Sequence, residues 1–344
     1  MLRVLSLTIA FLFLLSCEQM QNVSNPPVDN KDVEAAITDY STFKEPSIKD
    51  QRFKHALIDS LAKMYAEHDA INLEQEGSSY EGRSINRLSI GKGTTQVLMW
   101  TQMHGNEPTA TMAVFDLLKF LTAQNDAYNN LRAQILESCT IHIIPMLNPD
   151  GAERFQRRTA QGIDMNRDAL HLQTPEGRIL KRVRDELDAD FAFNLHDQSR
   201  YYRVGDSDKA ATISFLAPAY NAEKSVNAKR SRAKKLISVM NQRMQKMAEG
   251  HVGRYDDTFE PRAFGDNIAK WGSSTILIES GGYPNDPEKQ FIRKLNFAAL
   301  LTALESIASE SYEFASIAEY YKIPENDRDY LQLKLEKVKI IDED

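Results

Sequence analysis

Three short apolar runs limit what this chain can fold into: Val97-Leu98-Met99-Trp100, Phe191-Ala192-Phe193-Asn194-Leu195 and Thr275-Ile276-Leu277-Ile278. Runs of this length, bounded by turn residues and separated by stretches of helical spacing, read as buried strands of an α/β sheet. Each run leads to an ionisable side chain. The first runs into Met103-His104-Gly105-Asn106-Glu107-Pro108, the second ends at His196 and the third at Glu279. In open α/β sheets, ligand sites gather at the C-terminal ends of strands. A carboxylate closing a run as apolar as Ile276-Leu277-Ile278 is costly to bury alone, so Glu279 needs either a buried ion pair or a catalytic duty.

His104 and Glu107 sit where the first strand turns into a helix expected from Pro108 to about Gln124. Their spacing of three lets an imidazole and a carboxylate point at one spot, as two ligands of one zinc ion must. Taken alone, the pair has a plainer reading, a histidine at a helix start with a carboxylate favoured by the helix dipole. His196 is a credible third ligand. Downstream of a turn at Asn148-Pro149-Asp150-Gly151 lies a cationic segment with Arg154, Arg157, Asn166 and Arg167. Clustered Arg is usually solvated, yet its planar fork of donors also suits a carboxylate. His55, His68, His142, His171 and His251 have no matched partners and read as structural or surface residues. Cys139, before the apolar Ile141-His142-Ile143-Ile144, reads as a small core residue, with no disulfide framework.

From about Ser79 to Leu300 the chain resembles the carboxypeptidase A-like family of zinc metallocarboxypeptidases. The resemblance runs through Glu81-Gly82-Arg83, His104-x-x-Glu107, Asn148-Pro149-Asp150-Gly151, the Arg157 region, Asn166-Arg167, His196 and Glu279, in that order. It implies a single α/β domain with a mixed, mostly parallel twisted β-sheet flanked by helices. It implies one zinc ion per chain, held by His104, Glu107 and His196 with one position left open. Glu279 would be the general base that takes a proton from the attacking water and returns it to the leaving amine, and Arg157 would stabilise the oxyanion. Asn166 and Arg167 would hold the carboxylate of a peptide with a free C-terminus, with Arg154 a further candidate for substrate contact. The chain departs from the family at the tyrosine that caps bound substrate. The corresponding stretch, Thr258 to Asn267, contains no Tyr, and Tyr255 lies nearby. The residue setting side-chain preference should fall near Asp266 to Ala269, which leaves apolar and basic preferences both open.

The rest of the chain divides around this core. Arg3 and the apolar run Val4 to Leu15 have the proportions of a signal peptide, too short to span a bilayer comfortably. The run ends in Leu14-Leu15-Ser16-Cys17, which resembles the lipobox of bacterial lipoproteins. That implies residues 1–17 as a lipoprotein signal peptide, a lipid on Cys17 as membrane anchor, and a place in the bacterial cell envelope. Residues 18–50, rich in Asn, Asp, Gln, Ser and Pro, read as a flexible tether. Residues 51–308 read as the catalytic domain, opening with an amphipathic helix over Gln51 to Ala70. A strand is expected from Ile135 to Pro145, a helix from Pro175 to Leu187, a basic helix with a solvated face between Lys224 and Lys246, and a helix from Glu288 to Ala308. Residues 309–344 read as an appendage holding one more helix and no chemistry, whether an added packing element, a small strand-rich appendage or a partner-binding tail.

A formal net charge of −7 gives no electrostatic footprint for nucleic acid. Three functions remain on this constellation. The first is a zinc metallocarboxypeptidase. The second keeps the zinc site and changes the bond, as in deacylases resembling aspartoacylase and succinylglutamate desuccinylase or in cell-wall peptide hydrolases. The third is a non-catalytic peptide-binding lipoprotein, which an intact Glu279 disfavours.

Overall fold

The structure is a computed structural model that describes residues 30–328. Cys17 and the signal-peptide run lie outside the described residues, as do residues 329–344.

Among the described residues ten strands form: β1 (Ile71–Ser78), β2 (Ser84–Gly91), β3 (Thr95–Trp100), β4 (Cys139–Ile144), β5 (Phe191–Asp197), β6 (Arg203–Val204), β7 (Ile213–Leu216), β8 (Val252–Arg254), β9 (Ser274–Ser280) and β10 (Asn326–Asp327). Eight make one sheet in the order β1-β2-β4-β3-β5-β9-β7-β8, and β10 pairs with β6 in a small second one. The centre, β4-β3-β5-β9, is parallel, as is β7-β8. The β1-β2, β2-β4 and β7-β9 pairings are antiparallel. This is the mixed, mostly parallel sheet expected.

Helices cover both faces: α1 (Lys31–Thr38), α2 (Tyr40–Phe43), α3 (His55–Tyr65), α4 (Thr109–Thr122), α5 (Asn129–Ser138), α6 (Pro149–Arg154), α7 (Pro175–Leu187), α8 (Ala228–Met247), α9 (Phe264–Lys270), α10 (Gln290–Ala308) and α11 (Ile317–Lys322). Successive strand side chains point to opposite faces. Val97 and Met99, Phe191, Phe193 and Leu195, and Ile276 and Ile278 therefore enter the larger core with α4, α8 and α10. Leu98, Trp100 and Ala192 enter a smaller core with α7 and α9. Asn194, His196, Leu277 and Glu279 fall on this second face by the same alternation.

Several expectations are corrected. The tether expected to run to residue 50 is folded from Asn30 onward. Asn30 caps α1 through its side chain, and Val33, Ala36, Ile37, Tyr40, Phe43 and Ile48 are buried. The polar composition hid an apolar stripe that α4 and α10 complete. The strand expected from Ile135 is helical through Ser138, because Leu131 and Ile135 pack inward from α5 before β4 begins. The opening helix is shorter than expected, and β1 follows it directly. The basic helix is not simply a solvated face. On α8, Arg230 and Lys234 are buried, Arg230 against Asp257 and Lys234 against Tyr320 and Tyr321. Residues 309–328 are no correction: they take the packing and strand options left open for the appendage, with Tyr320 buried and β10 in register with β6. The helices expected at 108–124, 175–187 and 288–308 form within two residues of those limits.

Candidate metal centre and substrate cleft

His104 reaches the site on a loop, 101–108, that leaves β3 and enters α4. The loop is clamped to the Asn148-Pro149-Asp150-Gly151 turn: Asn148 N–H donates to Gln102 O (2.9 Å) and Asn148 Nδ2 to Met103 O (3.2 Å). Backbone meets backbone at Gly105, where a Cβ would lie 2.0 Å from the carbonyl carbon of Gly151. The Glu81-Gly82-Arg83 segment holds the same turn from the far side. Buried Asp150 accepts from Ser79 Oγ (2.6 Å), Glu81 N (2.9 Å) and Arg83 Nη1 (2.6 Å). His196 and Glu279 need no loop, because β5 and β9 pair in parallel with these two residues directly opposite.

The structure brings His104, Glu107 and His196 together. All three are buried, and one ligand atom from each lies within 4.8 Å of the others. Glu107 is the hub, with Oε1 at 2.8 Å from His104 Nδ1 and Oε2 at 2.6 Å from His196 Nδ1. His104 Nε2 lies 3.0 Å from Asp164 Oδ1. Donating that N–H leaves the ring's lone pair on Nδ1, facing the Glu107 carboxylate. Two acceptors at that distance call for positive charge between them, and the Arg157 Nη1 group leans on the same two atoms at 3.1 Å each. Three buried N and O donors, with the Asp164 carboxylate fixing the tautomer of one of them, are the set a zinc ion takes. The residues present fit the metal.

Electrostatics follow from this crowding. Burial alone would lower the His104 pKa, but the carboxylates of Glu107 and Asp164 raise it. For His196 burial wins and the pKa falls. Glu107 is held low by the two imidazoles against the effect of burial. Glu279 goes the other way: burial, then the neighbouring charges of Glu107 and Asp197, push it well above the usual carboxylate range. Its Oε2 is buried with no hydrogen-bond partner among the described residues. The structural alternative for Glu279, a buried ion pair, is therefore not what the fold provides.

These groups open onto a cleft of about 630 Å³. Arg157, Asn166 and Arg167 line it with His104, Glu107, His196 and Glu279. Arg157 is steadied by Asp164 through Nε (3.1 Å), Asn166 Oδ1 accepts the N–H of Phe264 (2.9 Å), and Arg167 Nε lies 3.3 Å from Glu260. Arg154 is a correction. It turns out of the cleft, bonding Glu81 and, through Nη1, the Asp150 carbonyl (3.2 Å), because it ends α6 on the side facing the Glu81 segment. Tyr255 does line the cleft, its phenol pushed up by burial and then by the Glu279 charge.

Sequence reasoning missed four participants. Asp164 sat unremarked in the cationic segment, where a lone acid two residues before Asn166 was the available signal. Asp197 follows His196 and is buried against Lys289 (2.9 Å) and Thr109 (2.6 Å), while its N–H donates to Glu107 Oε2 (3.2 Å). Tyr202 and Arg328 also line the cleft, Arg328 Nε donating to Tyr202 Oη at 2.6 Å. Arg328 brings the C-terminal segment to the cleft wall, and no local pattern could have announced it.

A family model described as zinc carboxypeptidase matches residues 55–175, the segment that carries His104, Glu107, Arg157 and Asn166-Arg167. Over that segment the chain is similar to the zinc carboxypeptidase family. Similar curated proteins include Carboxypeptidase 2 of Trichophyton tonsurans, 32% identical over 135 residues, 38% of this chain and 24% of that protein. An uncharacterized protein of Zymomonas mobilis is 30% identical over 142 residues, 40% of this chain and 36% of that protein. The matched stretch is thus well under half the length of either relative. Among solved structures, a metallo-carboxypeptidase from Burkholderia cenocepacia superposes with a TM-score of 0.61 at 16% identity, over 75% of this chain and 70% of that one. That likeness is one of fold, over a larger share of the chain than the family match.

Proposed function

We propose that this protein is a zinc-dependent metallocarboxypeptidase that removes C-terminal residues from peptides. One observation carries the reading: His104, Glu107 and His196 converge at the sheet's C-terminal edge with the unpaired Glu279 carboxyl in register beside His196. His104, Glu107 and His196 would hold a zinc ion, which would supply Lewis acidity toward a carbonyl and toward water near neutral pH. Glu279, kept basic by its burial among carboxylates, takes the proton of the attacking water and delivers it to the leaving amine. Arg157, already oriented by Asp164, offers guanidinium donors to the oxyanion that forms on the scissile carbonyl. Asn166 spends its Oδ1 on Phe264, which leaves the amide nitrogen for substrate. With Arg167 it would receive a terminal carboxylate, which makes the enzyme an exopeptidase by geometry.

The test is a mixed peptide library incubated with the protein, with and without a chelator, and read by mass. Losses of single C-terminal residues that stop with chelator are expected; cleavage of N-acyl amino acids alone would move the protein to the deacylases. The proposal extends to the envelope: the Leu14-Leu15-Ser16-Cys17 segment supports a lipid on Cys17. Labelled fatty acid should enter the native protein and fail to enter Cys17→Ser.

A further inference from the structure

The chain returns to the cleft near its C-terminal end, on an arm that is held from both sides. Gly205 N–H donates to Glu325 O (2.8 Å) and Arg254 N–H to Pro324 O (2.7 Å), so the arm lies between β6 and β8. Asn326 Nδ2 donates to Gln198 Oε1 (2.7 Å), Gln198 Nε2 to Ser214 Oγ (3.0 Å), and Ser214 Oγ to Asn326 Oδ1 (3.0 Å), a closed ring two residues past His196. A Cβ at Gly253 would come 1.9 Å from Asn326 Oδ1, so glycine lets the arm settle this close. The residue after this anchorage is Arg328, which lines the cleft while its side chain stays exposed.

Its distance from the reacting centre is marked by two phenols. Tyr255 feels the Glu279 charge, the Tyr202 ring lies 6.0 Å from the Tyr255 ring, and the Arg328 guanidinium lies 5.4 Å from the Tyr202 ring. Arg328 donates Nε to Tyr202 Oη (2.6 Å), which leaves both Nη groups without a partner among the described residues. Beside it Arg200 stands 5.4 Å over the ring of Tyr201, another lining residue, and it too has no ion pair among the described residues. The inner cations differ, because Arg157 is paired with Glu107 and Asp164, and Arg167 with Glu260. Asp256 lines the same wall but spends Oδ1 on the N–H (3.0 Å) and Oγ1 (2.8 Å) of Thr258.

A guanidinium steadied over a ring keeps its edge donors free, and that edge matches a carboxylate. A peptide held inside by its last residue leaves through the exposed mouth, so the mouth meets residues upstream of the scissile bond. Extended chain advances about 3.3–3.6 Å per residue, which places the second or third residue before that bond beside the outer phenol. We infer that Arg328, with Arg200 adding charge, receives an acidic side chain at one of those two positions of the substrate. This rests on the carboxypeptidase reading and names a substrate class for the same site, read by an arm that lies outside residues 55–175.

The experiment uses the full chain loaded with zinc and peptides that share their last residue and carry Glu, Gln or Lys at each of the three preceding positions in turn, with kcat/KM for each. At the second or third position Glu should exceed Gln by about fivefold, the upper end for an ion pair in contact with water, and Lys should fall below Gln. Arg328→Gln should bring Glu and Gln level. Arg328→Glu should favour the Lys peptide, a gain that misfolding cannot produce. Raising salt from about 20 to about 500 mM should shrink the wild-type ratio, a readout that needs no variant. Equal cleavage of Glu and Gln peptides at low salt, a preference confined to the residue next to the bond, or one unmoved by salt or by Arg328→Gln overturns this inference and leaves the carboxypeptidase reading intact. Release from no peptide by the zinc-loaded protein overturns both.

Discussion

Asp164 receives the His104 ring at 3.0 Å and the Arg157 Nε at 3.1 Å, so one carboxylate orients both the proposed metal ligand and the proposed oxyanion donor. Removing such a partner typically costs about 10–100-fold in metal affinity. Asp164→Ala should therefore weaken zinc binding by that order in a competition titration and also lower turnover; unchanged affinity would detach Asp164 from the ligand set. Glu279→Gln should separate binding from chemistry, since the three ligands remain. We expect zinc retained at one per chain and peptide hydrolysis reduced by about 10²–10⁴-fold, the usual share of a general base. His196→Ala should instead lose the metal itself, read directly by metal analysis.

Register and backbone contact do the positioning at the scale of elements. His196 and Glu279 are neighbours because β5 and β9 pair in parallel without offset, and a slip of one residue would turn one of them into the opposite core. His104 depends on a loop packed against another loop. In Gly105→Ala the new methyl would overlap the Gly151 backbone, so zinc affinity should fall even though no ligand is altered. The outer sheet carries a separate titration. His142 on β4 accepts from Arg87 Nη1 (3.0 Å) and Ser89 Oγ (2.8 Å), and burial, then the Arg87 charge, lower its pKa from 6.5 to about 4. A histidine with a depressed native pKa favours folding above its unfolded pKa, and that contribution is lost as pH falls through the window between the two values. The shift corresponds to about 3 kcal/mol, at order-of-magnitude precision. Urea midpoints should drop between pH 6.5 and 4, and His142→Gln should flatten that part of the curve.

The molecule as a whole is closed by segments far apart in sequence. Arg293 of α10 and Asp116 of α4 form a fully buried ion pair, and around it gather the N-terminal groups: Tyr40 Oη on Asp116 (2.7 Å), Glu45 N on Asp116 (2.7 Å), and the carbonyls of Ile48 (2.8 Å) and Glu45 (3.0 Å) on Arg293. Arg293→Met would leave Asp116 buried and uncompensated, so a loss of about 3–5 kcal/mol in urea unfolding is expected. At the other end Asn326 donates to Gln198 (2.7 Å) and accepts from Ser214 Oγ (3.0 Å), tying β10 to the wall of the cleft and delivering Arg328 to it. What the amino-acid order determined by itself was local. Apolar runs specified the central strands, helical spacing and Pro-initiated turns specified α4, α7 and α10, and the ordered motifs singled out His104, Glu107, His196, Glu279 and the Arg157 to Arg167 cluster. Only tertiary structure decided that residues 30–48 belong to the core, that Arg154 faces Glu81, and that Arg328, Asn194 and Asp266 meet in one cleft. The physical reason is that strand and helix signals are written in neighbouring residues. The partner of a polar side chain is chosen by whichever distant segment the packed core brings within 3 Å or so of it.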